Sequence, residues 1–113
     1  MVLTRQRAVV WMTSRQRIKK SMERMTAFVK GNVQGVGFRW WTRSRALELG
    51  LAGHATNKSD GRVQVVAEGP REDCEKLLEL LKEQPSSTNR PGQVAVVVEQ
   101  WAEPKGESGF IER

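Results

Sequence analysis

The Asp60–Gly61 pair, midway along GLAGHATNKSDGRVQVVAEGP (residues 50–70), constrains the fold more than any other feature of the chain. Asp-Gly between two alternating segments signals a tight hairpin, because the favoured two-residue turn needs positive φ. LAGHATN and RVQVVAE are therefore expected to be neighbouring antiparallel strands. On both sides of the hairpin the hydrophobic period changes from 2 to 3.6. Upstream, Phe38, Trp41, Thr42, Ala46 and Leu49 fall on one helical face, and Gly50 supplies the stop. Downstream, Pro70 follows Gly69 and opens a second helix, with Cys74, Leu77, Leu78 and Leu81 as its buried stripe. TAFVKGN at 26–32 reads as a strand, PSSTNRPG as a loop and QVAVVVEQW as a strong strand, with SGFIE adding a short final one. The order β-α-β-β-α-β predicts an α+β, ferredoxin-like sandwich: an antiparallel sheet with two helices packed on one face. Many functions use that arrangement, so it decides no chemistry by itself.

At 113 residues the chain is expected to build one core. Its longest apolar runs, AVVWM and VAVVV, are far short of the roughly 20 residues of a membrane span. A single cysteine, Cys74, permits no internal disulfide, which makes a reducing, cytoplasmic setting the default. The net charge of +6 suggests nucleic acid until it is located. Residues 1–25 hold Arg5, Arg7, Arg15, Arg17, Lys19, Lys20 and Arg24 against one acid, Glu23; beyond them 12 basic and 12 acidic residues cancel. The basic character belongs to a tail, and the domain expected over 26–113 is neutral. The tail lacks the apolar stretch and small-residue cleavage site of a secretory signal, and its expected behaviour is that of a flexible extension. Met22 and Met25 at its end leave the working start open.

GNVQGVGFRWW (31–41) carries the candidate chemistry. Gly35 and Gly37 adopt positive φ cheaply, so successive N–H groups can curl into a nest, and the following helix adds its unpaired N-terminal donors. Arg39 then falls in the first helical turn, where a guanidinium gives two parallel donors to a phosphate. The loop is not a Walker A sequence, since Phe38 and Arg39 stand where lysine and Ser/Thr would be needed. Nor is it a dinucleotide fingerprint, which would need glycine at Trp40. A cysteine phosphatase would place its nucleophile six residues before the arginine, at Val33. Any hydrolysis at this loop would fall to water directly. From the loop alone, a tight strand-to-helix turn with a solvated Arg39 explains the same residues.

VKGNVQGVGFR followed by LGLAGHATNKSDGRVQVVAEGP closely resembles the acylphosphatase family, small enzymes of this same fold. The match runs from about Thr26 to the C-terminus and is tightest from Lys30 to Pro70. The resemblance implies hydrolysis of the carboxyl–phosphate anhydride of small acyl phosphates, with no metal and no organic cofactor. It implies that Gln34, Gly35, Val36, Gly37 and Phe38 cradle the phosphate through backbone N–H groups. It also implies that Arg39 binds the phosphate and Asn57 orients the attacking water. The residues agree with that assignment, since a carboxylate leaves readily and needs no general acid. The Asn57 carboxamide has both a donor and an acceptor with which to hold water. By itself Asn57 also reads as a turn residue bonding its own hairpin.

Other residues carry plainer expectations. His54 is expected to be an ordinary exposed strand residue on the sheet face opposite Gly53 and Ala55, Cys74 a small core residue and Trp41 a core anchor. Trp40 and Trp101 are expected to be partly exposed, and Asp60 to serve the hairpin rather than a metal. The chain departs from the family pattern in its basic tail, in EQPSSTNRPGQ and in its ending GFIER. A monomer is expected, with neither membrane nor nucleic acid as a partner of the domain. Two rival classes remain at this level: a non-catalytic anion-binding module, and a nucleic-acid-associated protein using the basic tail.

Overall fold

A computed structural model describes residues 21–113. Residues 1–20, most of the basic extension expected over 1–25, lie outside the described residues. Strand β1 (Met22–Asn32) is followed by helix α1 (Phe38–Glu48), strands β2 (Ala52–Asn57) and β3 (Val63–Pro70), helix α2 (Arg71–Lys82), and strands β4 (Gln93–Ala102) and β5 (Phe110–Glu112). The sheet order is β4-β1-β3-β2-β5. The four long strands pair antiparallel, as the sequence predicts. β5 adds a parallel edge against β2, with Gly53 opposite Phe110 and Ala55 opposite Glu112, so the complete sheet is mixed.

β1 begins four residues before the expected Thr26. MERM carries little strand propensity, but Met22–Met25 pairs with Pro70–Ala67 of β3, and Met25 is completely buried. Pairing with a committed neighbour supplies what local propensity lacks.

One face of the sheet meets both helices. Met25, Ala27 and Val29 of β1, Val63, Val65 and Ala67 of β3, and Ala55 of β2 alternate inward. They pack against Phe38, Trp41 and Ala46 of α1 and Cys74, Leu77, Leu78 and Leu81 of α2. These are the stripes expected from helical spacing. No helix among the described residues is long and apolar enough to cross a membrane.

The face away from the helices holds a surprise in His54, which is 6% exposed rather than an open strand residue. The segment between β4 and β5 brings Glu107 to within 3.8 Å of its Nε2, and β3 and β5 flank it on either side. Burial, reinforced by Arg113 and Arg24 and opposed by Glu107, pushes the His54 pKa below its ordinary value, which favours the neutral ring. Beside it the Glu68 carboxylate is buried and accepts N–H bonds from Lys105 (2.7 Å), Gly106 (3.1 Å) and Glu107 (2.9 Å). The Arg24 guanidinium joins it at 2.7 Å and also reaches Glu107 at 3.0 Å. Glu68 thus pins the segment that delivers β5 to the sheet edge.

Candidate active site

The site forms where β1 ends and α1 begins. Val33 is buried and anchors the start of the loop. Gly35 (φ 76°) and Gly37 (φ 90°) both take left-handed conformations that side-chain-bearing residues adopt at a cost. Gly37 occupies the N-cap of α1 with no side-chain capping bond, and no acidic residue sits in the first turn. The first intrahelical bond runs from the Trp41 N–H to the Gly37 carbonyl at 3.0 Å. The amides of Phe38, Arg39 and Trp40 therefore lie ahead of the helical ladder, at its positive end. This helix start presents donors without intrahelical partners and carries no acidic side chain in its first turn.

A cavity of about 60 Å³, which admits a small ion, opens at this point. Its lining is Val33, Gly35, Gly37, Phe38, Arg39, Trp40 and Glu112. Phe38 is buried and packs on Trp41, with ring centroids 5.7 Å apart, so the first turn of α1 is fastened to the core beneath the cavity. Arg39 comes from the same turn and is half-buried; its Nη1 donates to the backbone carbonyl of Arg113. Arg43, one turn on, donates from Nε to the Phe110 carbonyl at 3.0 Å. Two arginines of α1 thereby hold β5 as a wall of the cavity.

Of the residues expected at the site, Gly35, Gly37, Phe38 and Arg39 line this cavity. Gln34 and Val36 belong to the same loop but lie outside the lining, as does Asn57. Asn57 closes β2 opposite Val63 and is exposed. No hydrogen bond among the described residues engages its side chain. The hairpin bond that Asn57 might have made belongs instead to Asp60, whose Oδ1 accepts the Arg62 N–H at 3.1 Å. The carboxamide of Asn57 is left available. Gln34 links the two halves of the site: its Nε2 donates to the carbonyls of Lys58 (2.7 Å) and Arg62 (2.9 Å), across the base of the turn that follows Asn57.

Cys74 takes no part here. It is buried on the core face of α2, and burial first of all pushes its thiol up to about 11, which leaves it an inert core residue. Among the described residues no cluster of three or more His, Cys, Asp or Glu side chains could hold a metal.

The sequence matches the family model described as Acylphosphatase over residues 25–111. The chain belongs to the acylphosphatase family. An acylphosphatase of Corynebacterium efficiens is 68% identical over 90 residues, covering 80% of this chain and 91% of that protein. One from Thermobifida fusca is 63% identical over 91 residues, covering 80% of this chain and 96% of its own. Among solved structures, the acylphosphatase from Coxiella burnetii superposes with a TM-score of 0.73 at 33% identity, covering 85% of this chain and 99% of that one. The chain is thus an acylphosphatase-family hydrolase whose match leaves out most of the basic extension.

Two features of this region have no signal in the sequence: Glu112 in the cavity lining and the side-chain bonds of Gln34, a residue expected at the site for its backbone. Glu112 reaches the cavity because β5 pairs parallel to β2, which no local pattern in GFIER announces. The Gln34 side chain was read only for its backbone, and a polar residue between two structured segments carries no signal of a tether 24 residues away.

Proposed function

We propose that this protein hydrolyses small acyl phosphates to a carboxylate and inorganic phosphate by direct attack of water. The reading rests on one observation: in a chain of this family, the Arg39 guanidinium and the leading amides of α1 converge on a single small cavity. The non-bridging phosphoryl oxygens take N–H bonds from the Gln34–Phe38 loop and the first turn of α1. Arg39 exchanges its bond to the Arg113 carbonyl for two parallel bonds to the phosphate. Asn57 holds a water against the face of phosphorus opposite the acyl oxygen. The water oxygen bonds to phosphorus as the bond from phosphorus to the acyl oxygen breaks. The electron pair leaves on the carboxylate, and the water's proton passes to phosphate or solvent. Since the leaving group is a weak base, positioning and charge stabilisation supply the rate, and no step calls for a metal or an organic cofactor. The hydrolytic unit in this proposal is the folded domain, and the basic extension takes no part.

The test compares benzoyl phosphate with a phosphate monoester, each with and without a chelator. Turnover of the acyl phosphate alone, unchanged by chelator, is the expected result. Hydrolysis of the monoester at a similar rate, or loss of activity to the chelator, would overturn the proposal.

A further inference from the structure

The nest and Arg39 account for the phosphate half of a substrate, but the acyl half must extend out of a cavity of only about 60 Å³. Two exposed residues whose side chains are given no part in holding phosphate line that cavity, Trp40 and Glu112. Trp40 is 60% exposed, unlike its neighbours Phe38 and Trp41, which are buried. A large aromatic left in water beside a ligand cavity is unspent contact surface. Val36, between the two glycines of the nest, is 39% exposed and adds apolar surface to the same loop. Along β5 the faces alternate: Phe110 is buried among the core residues, Glu112 shares its side of the strand and reaches the cavity, and Ile111 stands opposite His54. Once Arg39 is engaged by phosphate, Glu112 is the remaining charge among the lining residues.

We propose that Trp40 and Glu112 form an acyl-group subsite that selects uncharged apolar acyl phosphates, aromatic ones above all, over those bearing a second carboxylate. The indole offers a face on which a planar acyl group stacks. Glu112 repels an acyl chain that ends in an anion. The inference rests on the hydrolytic reading above and names its substrate class.

The experiment measures kcat/KM for benzoyl, acetyl and succinyl phosphates with wild type, Trp40→Ala, Trp40→Phe and Glu112→Gln. Each variant is divided by wild type on the same substrate, which cancels the substrates' intrinsic reactivities. Trp40→Ala is expected to lower benzoyl phosphate hydrolysis roughly three- to tenfold more than acetyl phosphate hydrolysis, mainly through KM, with Trp40→Phe restoring most of the loss. Glu112→Gln is expected to raise succinyl phosphate hydrolysis about fivefold relative to acetyl phosphate, an effect that shrinks with added salt. Equal losses on all three substrates in Trp40→Ala, with no gain on succinyl phosphate in Glu112→Gln, would overturn the subsite and leave the hydrolytic reading standing. Failure of the wild type to turn over any of the three would overturn both.

Discussion

Arg39 is the one cation among the residues lining the cavity, and it projects from a helical turn whose own amides face the same space. A lysine at this position would keep the charge but lose the paired donors that match two phosphoryl oxygens. Arg39→Lys is expected to lower kcat/KM for benzoyl phosphate by roughly a hundredfold or more, with phosphate inhibition weakened in parallel. Near-normal turnover would remove Arg39 from its role. Asn57 is a different case, because its carboxamide has no partner among the described residues and Asp60 serves the turn in its place. Asn57→Ala should therefore leave unfolding free energy within about 0.5 kcal/mol of wild type. It should lower kcat by about two to three orders of magnitude while barely moving the inhibition constant of inorganic phosphate. An equal loss in phosphate binding would count against a role in holding water.

At the scale of elements, the proposed site draws on three pieces that are separate in sequence: the β1–α1 loop and β5, which line the cavity, and the β2–β3 hairpin, which carries Asn57. Gln34 ties the loop to the hairpin, and Arg39 and Arg43 tie α1 to β5. β5 is only three residues long, so its place on the sheet edge depends on the segment before it, which Glu68 holds by three backbone N–H bonds. Burial alone would raise the Glu68 pKa, but those bonds and Arg24 outweigh it and hold the carboxyl at about 2, against an ordinary 4.5. A depressed folded-state pKa contributes stability that is fully present above pH 4.5 and is lost as pH falls toward 2. Chemical unfolding across that window should show wild type losing stability steeply, whereas Glu68→Gln starts lower at neutral pH and changes less. Glu68→Ala should cost roughly 3 kcal/mol at pH 7, since it removes the buried acceptor of three backbone N–H bonds and of the Arg24 guanidinium. A pH profile of Glu68→Gln parallel to wild type would show that the carboxylate is not the pin.

For the whole molecule, the boundary between extension and domain can be tested through β1. Met22–Met25 lies inside the strand, and Met25 belongs to the core, so the fold begins before Thr26. Deleting residues 1–20 is expected to leave hydrolysis and melting temperature unchanged. Deleting 1–25 should lower stability by several kcal/mol, because it removes Met25 from the core and Arg24 from Glu68. Equal activity and stability for the two truncations would contradict this account of β1. The order of elements, the two helical stripes, the Asp-Gly hairpin and the nest followed by arginine were all legible in the sequence, because each is a local pattern within about a dozen residues. What the sequence left unread depends on contacts between distant segments. It could not bury His54, since the roof over that strand comes from Glu107, 53 residues later. It could not make Glu68 a pin, turn the Gln34 side chain into a tether, or bring Glu112 beside Trp40. The sequence alone determined which segments would be strands, helices and a glycine-rich strand-to-helix turn, through periodicity and the backbone freedom of glycine. Only the tertiary structure decided which side chains meet around that turn, because sheet order and register are settled by burial across the whole chain.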